Sequence, residues 1–587
     1  MRMREVLDGA QARARFAAWK ARTISRVMVQ TGMLSNLRWP GARRLVTELL
    51  RGKTGPSTLF KVHRENTPYS MAVVDPRSMY RRMAAGEGAG EGAGEGAGEP
   101  AKDRIYSFRE LDETMDRLAL ALHRRGIGPG RGVLVMLKNR AEFLMIQPAV
   151  GRIGSAAVSV SWRSTVPELC YLAEHSGAGA LFFDAELASL IEEAAPRLKG
   201  IPRENIVAVG GDAPGFHTFE EVVARAGAGR VPDLSEGGSV VMYTSGTTGK
   251  PKGAVRTFSK DAMAATLAFI GETPSQVGDV HLVVLPLYHA TAFAFASMNF
   301  VVGGSVVVLP EFRPELFLEA IERYRVASTA VVPTMLYRVL ELGEERIRRY
   351  DLSSLKWVIV GGAPLSAQLA REAMQVLGDK LYQFYGATET GVVTVASPED
   401  MRAAPGTIGH AVPGVEIRLI DEAGKDCGAG EVGELFARSP LLISGYHRDA
   451  KATEDATLQG FFSVGDLARR DAAGRYFIEG RKRDMIISGG VNVYPAEVEA
   501  ALHEHPAVAE AAVVGVPDQE WGERVRAFVV RRAGASGDDA SEEAIKAHCR
   551  TRLAGPKVPR EVVFLDELPR NPTGKVLKRE LVRWQEA

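Results

Sequence analysis

The sequence predicts an α/β fold, with layers of helices around mostly parallel sheets and a smaller α+β region towards its C-terminal end. Two observations predict it. From Ile105 to about Arg481, helical patterns alternate with short β-branched runs, the rhythm of helices covering both faces of a sheet. After Asp484 the rhythm restarts on a smaller scale, with a helical VEAALHEH, strand-like AEAAVVGV and VRAFVVRR, and a helix around 541–553.

Strands are expected at MAVVD (71–75), RIYSF (104–108), GVLVML (132–137), AAVSVS (156–161), GALFF (179–183), VVMYT (240–244), LVVLPL (282–287), SVVVLP (305–310) and WVIVGG (357–362). The first two are separated by GEGAGEGAGEGAGEP (86–100), which has no hydrophobic face to bury and reads as a solvated loop. Ahead of them, Phe16, Trp19, Ile24 and Val27 recur at helical spacing among Arg15, Lys20, Arg22 and Arg26. Pro40 and Gly41 are expected to interrupt before a second stretch, Leu45 to Leu50. Boundaries follow at 1–57 for a basic helical extension, 58–482 for the main body and 483–587 for a C-terminal domain.

The composition supports large apolar cores without staples. Cys170, Cys427 and Cys549 lie far apart with no CxxC spacing, which argues against a disulfide framework or zinc cluster and suits a reducing compartment. No run of 18 apolar residues suggests a membrane span, and no apolar h-region suggests a signal peptide, so a cytoplasmic protein is expected. Residues 1–53 carry a surplus of +9, which leaves −8 for the rest of a chain of net charge +1. A folded body of that sign is a poor nucleic-acid binder. The basic segment reads either as a helical cap packed on the body or as a peripheral anchor on an anionic bilayer.

The strongest local signal is Tyr243-Thr-Ser-Gly-Thr-Thr-Gly-Lys-Pro-Lys-Gly253, directly after VVMYT. Gly246, Gly249 and Gly253 permit turns whose N–H groups converge on anionic oxygens. Thr244, Ser245, Thr247 and Thr248 add hydroxyls, and Lys250 adds positive charge. The run is a polyphosphate cradle but not a Walker A loop, because Thr244 and Pro251 stand where that pattern needs Gly and Ser/Thr.

This run resembles the phosphate-binding signature of the adenylate-forming superfamily, which includes acyl-CoA synthetases, luciferases and peptide-synthetase adenylation domains. The similarity extends from about residue 68 to 583, with further motifs in the family's order. It implies a large N-terminal domain of layered α/β subdomains with a small β-barrel-like part, 58–482 being the AMP-binding adenylation domain. A small mobile α+β domain, 483–587, follows.

By resemblance, Gly361, Gly362, Ala363 and Pro364 line the adenine pocket, and in FYGATET (384–390) Tyr385 stacks on adenine beside Gly386. Thr388 bonds the adenylate phosphate, and Glu389, with Thr244, helps hold Mg²⁺ between phosphates. Asp466 in Phe462-Ser-Val-Gly-Asp466 takes the ribose hydroxyls, and Arg481 contacts the ribose; Val464 departs from the usual Thr. Arg483 falls at the family's hinge, where Lys or Asp is common. Lys575 in Asn-Pro-Thr-Gly-Lys matches the adenylation lysine, a cation that meets the attacking carboxylate and the α-phosphate.

Gly489 and Gly490 resemble the narrow pantetheine channel, and Trp521 a position that contacts coenzyme A. His289 matches a gate beside the substrate carboxylate, with Tyr288, Ala292, Phe293 and Gly361 as the acyl pocket. An apolar wall disfavours an unpaired polar tail and favours a medium- or long-chain fatty acid over an aryl acid.

The activity implied is an ATP-dependent acyl-CoA synthetase using Mg²⁺ and coenzyme A, with the carboxylic acid, ATP and CoA as its small-molecule partners. A homodimer and a peripheral membrane contact stand beside them as expectations. The alternatives are an aryl-CoA ligase, an acyl-AMP ligase loading a carrier protein, a luciferase-like oxygenase, and a non-catalytic adenylate-binding or membrane scaffold.

Overall fold

The computed structural model describes residues 18–51, 56–79, 102–227, 229, 238–244, 251–257, 259–488, 490–519, 521–532, 534–570 and 576–584. The chain divides into two compact units. The first comprises 1–331, 342–358 and 439–454, and the second 332–341, 359–438 and 455–587.

The first unit holds an eight-stranded sheet. Its spatial order is Gly445–Tyr446, Lys252–Thr257, Ser239–Thr244, Ala156–Ser159, Gly132–Met136, Ala178–Asp184, Ile206–Val209 and His217–Thr218. The last six are parallel, whereas Lys252–Thr257 pairs antiparallel on both sides. Gly132–Met136 and Ala178–Asp184 are buried at every position. Burial on both faces is why they read as continuous apolar runs rather than alternating ones. Leu134, Val158, Leu181 and Phe183 form the core with Leu169 and Leu172 of the helix Val166–Ser176. A second set of strands in the same unit is ordered Arg104–Ser107, Met71–Asp75, Ser305–Val308, Val280–Val283 and Ser328–Val331.

The strand expected at 104–108 stops one residue early for a local reason. The Ser107 side chain accepts from the Glu110 N–H, and the Glu110 carboxylate accepts from the Ser107 N–H at 2.7 Å. This capping box starts the helix Phe108–Arg124 at Phe108.

The N-terminal segment is helical over 18–30, Met33–Asn36, Trp39–Leu50 and Pro56–Asn66. Its first helix packs on the body: Val27 is fully buried against Leu267, Ile270, Val301 and Val302, and Lys20 meets Asp261 at 2.7 Å. Phe16 lies outside the described residues. Pro40 and Gly41 do not interrupt, contrary to the sequence expectation. Pro40 sits in the first turn of Trp39–Leu50, where its missing N–H has no intrahelical acceptor to lose. Gly41 is buried against Asn66, whose side chain would lie 2.6 Å from any added Cβ.

The second unit is mixed. Leu381–Ala387 pairs antiparallel with Gly391–Ala396, which pairs with His410–Ala411. A five-stranded antiparallel sheet joins Glu416–Ile420, Val432–Arg438, Phe461–Arg470 and Thr457–Leu458, with Tyr476–Arg481 also on Phe461–Arg470. The C-terminal sheet runs Val491–Val493, Ile486–Ser488, Gly522–Arg531 and Val508–Asp518, and Glu561–Phe564 lies parallel to Gly522–Arg531. Strand period two sends Val513, Val525, Ala527 and Val529 into one core and Ala512, Val514 and Phe528 into another. The helices Pro495–His503 and Glu542–Arg550 supply Val498, Leu502 and Ile545 to the first of these cores. A large α/β N-terminal part and a small α+β C-terminal part are thus present, as the sequence predicts.

Candidate active site

In the second unit, three separated strands bring three predicted residues together. Leu381–Ala387 carries Tyr385 and Gly386, Phe461–Arg470 carries Asp466, and Tyr476–Arg481 ends on Arg481. Asp466 and Arg481 are register partners across their ladder. The Tyr385 hydroxyl donates to Asp466 Oδ2 at 2.7 Å, and Arg481 Nε lies 3.1 Å from Oδ1. Burial and the neighbouring carboxylate hold the Tyr385 phenol well above its ordinary range, so it stays protonated as a donor. Asp466 is 8% exposed. Each oxygen still has a lone pair in reserve, which a pair of ribose hydroxyls can use.

The strand Trp357–Val360 delivers Gly361, Gly362, Ala363 and Pro364 into a bend. An added Cβ at Gly361 would meet the Phe384 ring at 2.3 Å, so the aromatic residue preceding Tyr385 packs closely against the backbone here. Thr388 and Glu389 occupy the turn after Leu381–Ala387, with Glu389 buried; the Ala387 N–H donates to Thr390 Oγ1 at 3.0 Å and tightens that turn. Arg483 follows in the short helix Lys482–Asp484, half-exposed and 3.5 Å from Asp484. Lys482 reaches Glu434 at 2.9 Å, and Ser463 donates to the same carboxylate at 2.7 Å.

In the first unit, Tyr243 and Thr244 end the strand Ser239–Thr244, and Lys252 and Gly253 begin the antiparallel return. Ser245, Gly246, Thr247, Thr248, Gly249 and Lys250 lie outside the described residues. Both flanks are tied to the helix Val166–Ser176. His175 Nδ1 bonds the Tyr243 hydroxyl at 2.8 Å, and the Tyr171 hydroxyl donates to Pro251 O at 3.3 Å. Tyr171 and His175 stack one turn apart, and the His447 N–H donates to Gly253 O at 2.7 Å. The hydrogen bonds to Tyr243 and Pro251 span 68 and 80 residues of sequence, and no local pattern announces them.

His289 precedes the helix Ala290–Val301, in which Ala292 and Phe293 are buried. Its ring centroid lies 4.2 Å from that of Tyr288. His289 Nε2 and the Tyr288 hydroxyl are both buried with no hydrogen-bond partner in the protein. Burial pulls the imidazole down to about 4, so it is neutral at pH 7. Two orphaned polar atoms against an apolar wall suit the head of a polar ligand.

Gly490 turns between Ile486–Ser488 and Val491–Val493; Gly489 lies outside the described residues. Trp521 has Arg560 stacked 4.0 Å above its ring, and its buried indole N–H meets no acceptor. Lys575 lies outside the described residues, between Arg570 and Val576, which bridge to each other.

A model described as AMP-binding enzyme matches residues 94–447, and one described as AMP-binding enzyme C-terminal domain matches 497–575. The fatty acid–[acyl-carrier-protein] ligase ScoC of Streptomyces coeruleorubidus is 34% identical over 488 residues, covering 81% of this chain and 91% of that one. A feruloyl-CoA synthase of Amycolatopsis is 35% identical over 480 residues, covering 81% and 93%. The crystal structure of ATP-bound MatB from Rhodopseudomonas palustris superposes with a TM-score of 0.76 at 30% identity, covering 90% of this chain and 98% of that one. The chain belongs to the AMP-binding enzyme family of the adenylate-forming superfamily and is an AMP-forming acid–thiol ligase.

Proposed function

We propose that this protein is an ATP-dependent acyl-CoA synthetase acting on a medium- or long-chain fatty acid. The observation that carries the adenylation half is the Asp466 carboxylate fixed between the Tyr385 hydroxyl and Arg481. A carboxylate already oriented by two donors needs little reordering to accept the ribose hydroxyls. The carboxylate oxygen of the acid attacks the α-phosphorus, the bond to the pyrophosphate oxygen breaks, and acyl-AMP and pyrophosphate result. The neutral His289 and Tyr288 offer their orphaned atoms to the acid's head group. Lys575 neutralises charge on the α-phosphate. The coenzyme A thiol then loses its proton, its sulfur attacks the acyl carbon, and AMP leaves, with Gly489, Gly490 and Trp521 lining the approach and Arg483 as the hinge.

Glu389 offers one buried carboxylate. A single carboxylate suits Mg²⁺ carried in largely by phosphate oxygens rather than held in a protein cage. Among the described residues no cluster of three metal-ligating side chains occurs.

Buried Tyr288, Ala292 and Phe293 support an apolar acyl tail. The names of the relatives keep an aryl acid and a carrier-protein acceptor as the competing readings. A panel of C2–C18 and aryl acids decides, assayed for thioester formation with wild type and Lys575→Ala. The variant should lose adenylation by about 10²–10³ in rate while retaining thiolation from supplied acyl-AMP. Equal loss in both half-reactions would overturn the role of Lys575. CoA-independent transfer to a carrier protein would overturn the acceptor. The basic N-terminal helices are the proposed point of peripheral contact with membrane; among the described residues no helix is long and apolar enough to cross one.

A further inference from the structure

The helix Trp39–Leu50 faces the opposite way from an ordinary surface helix. At 100° per residue, Trp39, Arg43, Val46 and Leu50 fall within one narrow stripe. All four are exposed: Trp39 by 78%, Val46 by 55%, Leu50 by 83%, and the Arg43 side chain by 69%. Leu49, 44% exposed, widens the stripe. The inward side carries Gly41 and Glu48, the latter 1% exposed and bound by Arg44 at 2.9 Å. A surface helix normally buries its apolar side and turns its charges to water. Large apolar side chains gathered along about 16 Å of exposed helix mark an interaction surface rather than scatter.

Charge selects the occupant. Glu48 is the helix's only acid and is turned away from the stripe. Arg43 stands within the stripe, and Arg38 and Arg51 are exposed at its two ends. Glu65 lies 3.7 Å from Arg43, and Glu48 lies 3.8 Å from Arg51, contacts that leave the Arg43 side chain mostly exposed and that of Arg51 half-exposed. A second copy of this chain would set the same cationic stripe against itself, an unfavourable self-complement. An anionic bilayer accepts both parts, taking the apolar groups at the acyl boundary and the arginines among its phosphates.

We propose that this stripe docks the first unit on an anionic lipid bilayer, with the helix lying in the headgroup plane. The proposal rests on the reading that the N-terminal helices contact membrane, and it names the residues that do so. It is independent of which acid the enzyme activates.

The test uses the full chain and vesicles of phosphatidylcholine with or without phosphatidylglycerol. Wild type should sediment with the anionic vesicles, at least fivefold less with neutral ones, and less again in high salt. The combined variant Trp39→Ser, Val46→Ser, Leu50→Ser should lose at least fivefold of its vesicle-bound fraction while pyrophosphate exchange with a soluble acid is unchanged. Arg43→Glu should weaken binding to anionic vesicles alone. If wild type binds and the triple variant binds equally, the membrane reading stands and the stripe is the wrong surface. If wild type binds no vesicles, both fall. A wild-type dimer that the triple variant converts to monomer, without vesicle binding, would assign the stripe to a second copy and overturn the proposal.

Discussion

The Tyr385 hydroxyl donates to Asp466 across 2.7 Å, joining two strands 81 residues apart in sequence. A hydrogen bond to a charged acceptor contributes about 1.5–3 kcal/mol, and here it orients the group proposed to take the ribose. Tyr385→Phe should therefore raise KM for ATP by about tenfold or more, since 1.4 kcal/mol is a factor of ten. Its kcat should change less, because the ring remains. Steady-state kinetics at saturating acid check this, and an unchanged KM would sink it.

The same couple predicts non-additivity. Arg481→Ala and Tyr385→Phe act on opposite oxygens of one carboxylate. Their double variant should depart from the sum of the singles by about 0.5–3 kcal/mol in kcat/KM, the range for residues in one network. Strict additivity would mean that Asp466 is positioned by something else.

Tyr171 and His175 hold the two ends of the proposed phosphate run through Pro251 and Tyr243. His175→Ala should raise KM for ATP about three- to tenfold, the effect of one ordinary hydrogen bond. Tyr243→Phe should do the same, and combining the two should add little. Pyrophosphate exchange at varied ATP measures it. A fall in kcat at constant KM would instead indicate general loosening.

Three histidines of the first unit are kept neutral by burial: His281 is pulled down to about 3, and His63 and His289 to about 4. Above the ordinary value of about 6.5 neither folded nor unfolded chain binds these protons. Below it the unfolded chain takes them up while the folded chain refuses, so stability falls as pH drops from about 6.5 towards 4. Each histidine contributes up to about 1.4 kcal/mol per pH unit in that window. His281→Gln should flatten the dependence by that amount in urea melts at pH 7 and pH 5. An unaltered slope would contradict its neutral burial.

Gly361 has no space for a methyl group beside the Phe384 ring. Gly361→Ala should cost about 1–3 kcal/mol of stability, as overpacking does, and weaken adenylate binding by displacing the strand that carries Tyr385. Thermal melts and pyrophosphate exchange together test it; a neutral variant would mean that the ring simply swings away.

Much of the fold is legible in the sequence because several strands are buried on both faces. Val306, Val307 and Val308 cannot be mistaken for a surface, and Ser305–Val308 lies where the run predicts. Pro40-Gly41 misleads because proline's meaning depends on its position in a helix. In mid-helix it breaks the ladder; in the first turn it is harmless. The residues of the site are individually recognisable by motif, but their relations are not. Nothing between 385 and 466 foretells that a tyrosine and an aspartate will bond, and His175 carries no local sign that it reaches Tyr243. Such contacts are products of sheet order and appear only when the strands are placed.

The C-terminal sheet has a dry core on each side, one built on Val513, Val525 and Val529 and the other on Ala512, Val514 and Phe528. A module that satisfies its own apolar groups is portable. Residues beyond about 485 should tolerate exchange for the matching segment of a relative with little loss of solubility. Such an exchange would move a self-packed sheet as one piece, leaving the host no bare apolar face to cover.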